Sequence, residues 1–246
     1  MNNQKAGLGY MINTNLEVIG YVRCDYKEKF GIPRQSGLTD CAAAFIEILP
    51  PYNQAEAFRG LDEFSHIWLL WDFSRAHKNG FTATVKPPKL GGNQRMGVFA
   101  TRSPFRPNNI GLSSVKLLDI IYNEENGCIH GLVVSGADIL DGTPVYDIKP
   151  YLPYTDSHPE ATGGWTDSLD VPKLSVRFSD DIAAQLETIF SSTQIEALKE
   201  ILAQDPRPGY QDEPNRRYGM LYGEYDVRFT IEDGILMVCE VASAHP

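Results

Sequence analysis

The sequence predicts a mainly β protein: an antiparallel, barrel-like N-terminal domain over residues 1–160 and a small α+β domain over residues 161–246. Three observations predict it. Strand-like runs follow one another without the helical crossovers that a doubly wound parallel sheet needs. No Gly-x-Gly-x-x-Gly turn follows a strand and opens a helix, since Gly7-Leu-Gly9-Tyr-Met lacks the third glycine. Beyond about residue 170 the apolar spacing turns helical.

Taken in order, Leu16–Arg23 alternates and is rich in β-formers, so it reads as a strand. A polar loop containing Pro33-Arg34-Gln35 leads to a second strand, Ala43–Leu49, stopped by Pro50-Pro51. Asn53–Arg59 suits one short helix. Phe64–Phe73 is apolar almost throughout, as expected of a strand buried on both faces. Arg75–Arg95 reads as a long polar loop. Strands at Gly97–Ala100, Leu112–Tyr122 and Cys128–Ala137 follow, the last two joined by a turn at Asn123–Gly127. Thr155–Asp170 has the Ser, Thr, Asp, Gly and Pro content of a linker. Ser179–Phe190 is helical, and Thr193 with Glu196 fits a capping box before a face of Ile195, Leu198, Ile201 and Leu202. Two strands, Leu221–Ile231 and Ile235–Ala242, meet at Asp233-Gly234, a hairpin signal.

The 246 residues are 42% hydrophobic and 22% charged, ordinary for a globular chain large enough to bury a core without staples. No apolar run approaches a membrane span, and Met1–Lys5 lacks the apolar core of a signal peptide, so a cytoplasmic location is expected. Cys24, Cys41, Cys128 and Cys239 are scattered and fit no zinc spacing; reduced thiols and no metal are expected. A net charge of -10 argues on average against nucleic acid, but the charge is uneven. No acidic residue lies between Asp72 and Asp119, a window that holds Arg75, Lys78, Lys86, Lys89, Arg95, Arg102, Arg106 and Lys116. Such a basic island in an acidic chain is a candidate anion site.

Four polar stretches interrupt the strand pattern: Pro33–Gln35, Arg102–Asn109, Asp138–Tyr151, and Asp205–Tyr210 with Arg216–Tyr218. Each joins φ-fixing prolines or turn residues to a cation and often a ring. Stiff loops cost less to order on binding. Arginine offers a planar fork for carboxylate or phosphate, rings offer faces to a purine, and Asp accepts from an amino group or a ribose hydroxyl. The combination fits an adenosine-like ligand together with a phosphorylated polymer, although each loop alone is also ordinary turn chemistry. His66, inside the apolar strand, reads as a satisfied core histidine rather than a catalytic one, and His77 lies in the long loop without a nucleophile partner.

The segments KEKFGIPRQSGL, YNQAEAFRGLDEFSHIWLLW, RMGVFATRSPFRPNNIGLSSVKLL, LDGTPVYDIKPYLPY and DPRPGY…YGMLYGEYDVRF occur in that order from about Glu17 to Val241. With them the chain resembles the TrmO (YaeB/TsaA-like) tRNA methyltransferase family. The resemblance implies a β-barrel methyltransferase domain that is not a Rossmann fold, S-adenosylmethionine as cofactor, and a homodimer. It implies methylation of the exocyclic amine of threonylcarbamoyl-adenosine at position 37 of threonine tRNA. It further implies a cofactor site of Arg34, Gln35, Ser74, Arg75, Arg102, Leu112, Asp138, Leu140, Asp141, Gly142 and Thr143. Arg106, Lys149, Arg207 and Tyr218 are expected on the substrate side, and Asp138, Asp141 and Tyr151 are candidate proton acceptors, with Asp205 or Tyr218 as further possibilities. An RNA-binding or S-adenosylmethionine-sensing module without turnover would carry the same residues. Methylation of a small adenosine-containing metabolite would need no basic window.

Overall fold

Alternation of apolar and polar residues, repeated along six strands, is what closes the N-terminal sheet. The computed structural model describes residues 15–39, 41–77, 82–90, 94–169, 173–207 and 216–244. The first eight strands are β1 (Gly20–Arg23), β2 (Ala43–Ile48), β3 (His66–Asp72), β4 (Thr84–Val85), β5 (Met96–Gly97), β6 (Ile110–Tyr122), β7 (Ile129–Ser135) and β8 (Pro144–Pro150). Six of them form a closed barrel in the order β1-β2-β7-β6-β3-β8, every pairing antiparallel. Gly20 opposite Val145 and Tyr21 opposite Pro144 seal it. Inward positions fill the barrel with Val22, Ile46, Ile67, Leu69, Leu132, Val134 and Val145, all essentially inaccessible. Each such side chain contributes about 1.5–3 kcal/mol on leaving water.

Several expectations need correction. β3 is not buried on both faces: Ile67, Leu69 and Trp71 point inward, and His66 is exposed beside Ser65 on the outer face. Met96–Gly97 pairs with β4 in a separate two-stranded ribbon, and Val98–Ala100 is a 3-10 turn rather than a barrel strand. The barrel's sixth strand is β8, which lies inside a stretch read as polar loop. Prolines sit at both of its ends, and Asp147 and Lys149 lie on its outer side, paired at 2.7 Å.

The C-terminal region follows a short helix, α1 (Pro153–Asp156). It comprises β9 (Ser175–Phe178), α2 (Asp180–Ile189), α3 (Ser192–Ala203), β10 (Tyr218–Tyr222), β11 (Tyr225–Glu232) and β12 (Ile235–Ser243). The sheet order is β10-β11-β12-β9, with β9 parallel to β12. The expected single strand Leu221–Ile231 is two, because Gly223 at φ +57° turns the chain between Tyr222 and Tyr225. The capping box of α3 is formed by Ser191 and Gln194, two residues before the expected pair. Leu186, Leu198, Leu202, Val227, Phe229 and Leu236 make a second core.

This second core is completed by residues from the N-terminal sequence. The connection from β1 to β2 inserts Tyr26 and Ala42, with Cys24, Phe30, Ile32 and Cys41 packed against it. Gly223 donates its N–H to the carbonyl of Asp25, and Leu221 donates to Glu28 Oε1. The same connection carries Arg34 and Gln35, so its anchoring sets where those side chains stand.

Candidate active site

The end of the barrel where β3 and β7 finish and β6 and β8 begin opens into a cleft of about 1260 Å³. Four connections wall it: Ile32–Gln35 from between β1 and β2, Phe73–Ala76 after β3, Phe99–Pro104 before β6, and Asp138–Thr143 between β7 and β8. The C-terminal loop adds Pro206 and Arg207.

Trp71 and Asp138 shape the floor. Gly111 lets the Trp71 ring cross the barrel mouth, since a Cβ there would lie 2.3 Å from the indole. Trp71 Nε1 donates to Ser113 Oγ at 3.0 Å, and Ser113 Oγ donates to Asp138 Oδ1 at 2.5 Å. Burial raises the Asp138 carboxyl above the usual carboxylate range. The Ser113 hydrogen bond and the positive charge of Arg102 oppose that shift. Asp138 is thus a half-buried acceptor facing a cleft lined by the cations Lys29, Arg34, Arg75, Arg102 and Arg207.

The rim is tied together by arginines. Arg34 Nη2 donates to the carbonyls of Asp205 and Arg207, both at 3.0 Å, and so clamps the C-terminal loop over the cleft. Asp205 adopts φ 52° at the end of α3, and its carboxylate receives Arg207 Nε and Nη2 at 2.9 and 2.8 Å. Arg102 donates to Gln35 Oε1, joining the basic loop to the β1–β2 connection.

Of the residues expected at a cofactor site, Arg34, Gln35, Ser74, Arg75, Arg102, Asp138, Leu140 and Thr143 line this one cleft. Gly142, at φ +73°, serves the turn by donating its N–H to the Val22 carbonyl. Asp141 is turned away, accepting from the Cys24 N–H and Lys27 Nζ at 3.0 Å each. Leu112 lies on the outer barrel face, 55% exposed. Tyr151 is also outside, packed on Trp68 with ring centroids 5.5 Å apart. Lys149 shares that face. Tyr218 is buried in the second core against Phe229. Arg106, expected to face substrate, instead donates to the carbonyls of Val98 and Thr101 at 3.2 and 2.7 Å and fastens its own loop. Of the three proton-acceptor candidates, only Asp138 reaches the cleft.

The structure also adds residues the sequence did not single out. Asp72 lines the cleft and meets His77 Nε2 at 2.7 Å, so the loop histidine has a carboxylate partner. The phenol of Tyr146 is raised by burial and by the charge of Asp72, to which it donates. Lys29 enters from outside the basic window, of which Arg75 and Arg102 line the cleft. Lys78 and the side chain of Lys89 lie outside what the structure describes. The presumed linker also contributes, through Gly163, Trp165, Thr166 and Leu169. Burial pushes the Cys24 thiol up to about 12 and also raises Cys41, so neither offers a thiolate nucleophile. No group of three or more metal-ligating side chains occurs among the described residues.

Comparison with known proteins shows the family. The profile of the tRNA-methyltransferase O N-terminal domain matches residues 21–157, and that of the TrmO C-terminal domain matches residues 171–244. The tRNA (adenine(37)-N6)-methyltransferase of Escherichia coli K12 is 42% identical over 91% of this chain and 95% of its own length. A putative S-adenosylmethionine-dependent methyltransferase of Pseudomonas aeruginosa is 44% identical over 86% of this chain and 90% of its own. A crystal structure of TrmO from Pseudomonas aeruginosa superposes with a TM-score of 0.76 at 36% identity, covering 95% of this chain and 98% of that one. With both of its domains matched and nearly the whole chain aligned, the protein belongs to the tRNA-methyltransferase O (TrmO) family.

Proposed function

We propose that the chain transfers a methyl group from S-adenosylmethionine to the exocyclic N6 amine of adenine 37 in tRNA. The observation that carries this reading is the convergence of Arg34, Gln35, Arg102, Asp138, Leu140 and Thr143 on one cleft. The cleft suits the cofactor: an apolar floor of Trp71 and Leu140 for a purine, carbonyls and a carboxylate near it, and guanidinium groups for the amino-acid carboxylate. When bound, S-adenosylmethionine supplies an electrophilic methyl carbon on a sulfonium. The chain's residues then have three tasks. Arg34 and Arg102 hold the walls at fixed separation, so that donor and amine meet in line. Asp138 accepts from the amine and takes the proton that must leave, a role helped by burial, which raises its carboxyl above the usual carboxylate range. The cationic lining draws in the polyanion.

The finer reading is threonylcarbamoyl-adenosine in threonine tRNA, because the added group carries a carboxylate and the cleft has more cations than anions. A homodimer is supported by the exposed Ile110 and Leu112 on the outer face of β6, the face shared by Lys149 and Tyr151. In solution, Leu112→Arg should then halve the particle mass measured by light scattering. A cytoplasmic location follows from the substrate, and the described residues include no helix long and apolar enough to cross a membrane. The deciding experiment gives the purified chain labelled S-adenosylmethionine and anticodon stem-loops with and without the threonylcarbamoyl group. Nucleoside mass spectrometry should find the methyl on N6 of adenine 37. Cofactor bound without label transferred would leave a sensing or binding module instead.

A further inference from the structure

We propose that Trp165 is the stacking platform for the target base, a base-positioning residue in the stretch between the two cores. The inference rests on the methyl-transfer reading and deepens it. The segment is built rather than slack: Gly164 turns at φ +60°, and residues 164–166 form a 3-10 turn. Gly163 donates its N–H to Asp167 Oδ2 at 2.8 Å and accepts Thr166 Oγ at 2.8 Å. A Cβ at Gly163 would lie 2.3 Å from Asp167 Oδ1, so a larger residue there would displace the carboxylate that caps the turn.

That turn fixes the indole against the cleft. Trp165 Nε1 donates to the Ala100 carbonyl at 2.8 Å, which ties it to the loop carrying Arg102. With its N–H satisfied by backbone, what the ring offers a ligand is its face. The ring is half-buried on the rim, on the same wall as Phe99, which is 72% exposed, while Asp138 lies on the floor. The cleft's 1260 Å³ exceeds the roughly 300–1000 Å³ of a single small-molecule site, leaving room for a second occupant. A base leaving its stack enters from the rim, meets an aromatic face there, and turns its amine towards the floor.

The test is a double-substitution cycle read by binding. Fluorescence anisotropy would compare an anticodon stem-loop with an otherwise identical one abasic at position 37, against wild-type protein, Trp165→Ala and Trp165→Phe. Removing the base should weaken wild-type binding by about tenfold, the scale of one base–aromatic stack. It should cost Trp165→Ala almost nothing, while Trp165→Phe recovers most of the coupling. Calorimetry with S-adenosylhomocysteine should give affinities within about twofold for all three proteins, which also certifies their folding. In turnover, Trp165→Ala should raise KM for tRNA more than it lowers kcat. Equal losses from base removal in wild type and Trp165→Ala, or a loss of S-adenosylhomocysteine affinity in Trp165→Ala with Trp165→Phe intact, would overturn the assignment. Absence of methyl transfer by the wild-type protein would count against the functional reading alone, since the binding cycle still judges the stack.

Discussion

The floor of the cleft and its rim are made differently. The floor is strand-derived: Trp71 is the penultimate residue of β3, Ser113 lies in β6, and Asp138 follows β7, all linked by hydrogen bonds between side chains. The rim is loop-derived, and its arginines bond chiefly to backbone carbonyls, some of them across the two regions of the chain. A floor defined by sheet register is rigid and selective for small groups. A rim of prolines and guanidinium groups can be adjusted to a large polyanion without disturbing that register. On this division the floor carries the proton transfer, and the rim holds both ligands over it.

The sharpest test of the division is at the floor. Asp138→Ala should lower the methyl-transfer rate by about 100-fold or more, the usual range for a lost general base, with tRNA affinity nearly kept. Asp138→Asn should share that loss yet raise the melting temperature at pH 7. The folded-state pKa lies above the unfolded one, so ionised Asp138 costs stability at neutral pH. The gain from Asn should shrink as pH falls through the folded pKa and vanish below the unfolded value, where both states are protonated. Scanning calorimetry between pH 3 and pH 8 reads it directly.

Rim substitutions should do something else. Arg34→Ala removes two charge-assisted bonds, of the kind worth about 1.5–3 kcal/mol each, and should weaken S-adenosylhomocysteine and tRNA together. Arg106→Ala should also weaken both ligands, because that guanidinium holds the loop bearing Arg102; a loss confined to tRNA would restore a direct contact. Next in size, raising salt from 50 to 200 mM should cut tRNA affinity by at least about tenfold while cofactor affinity barely moves. An equal response of the two ligands would erase the distinction between floor and rim. The smallest effect is expected at Lys149→Ala, whose partner Asp147 sits on the exposed outer face: stability should change by less than about 0.5 kcal/mol in urea titration.

How far the sequence could be read follows from what each element depends on. Strands whose alternation is local, such as Ala43–Ile48 and Ile129–Ser135, were legible, as was the hairpin at Asp233-Gly234. Pro144–Pro150 was not, because proline and charge are tolerated there by the outer side of a closed barrel, and closure is a long-range fact. The motif loops gave most of the cleft lining. Motif order could not tell Asp138 from Asp141, three residues apart on opposite sides of one turn. Nor could the charge window reveal Lys29, which the β1–β2 connection carries in from elsewhere. Trp165 had only a faint signal: one large ring between two glycines and a run of small polar residues.

The clamp of Arg34 on Asp205 and Arg207 spans 171 and 173 positions of the chain. During synthesis the ribosome therefore releases the guanidinium long before the carbonyls that receive it. A polypeptide cut short of Asp205 would lack the two carbonyls that hold Arg34 in place, so the shape of the cleft mouth is fixed only after both regions have been made.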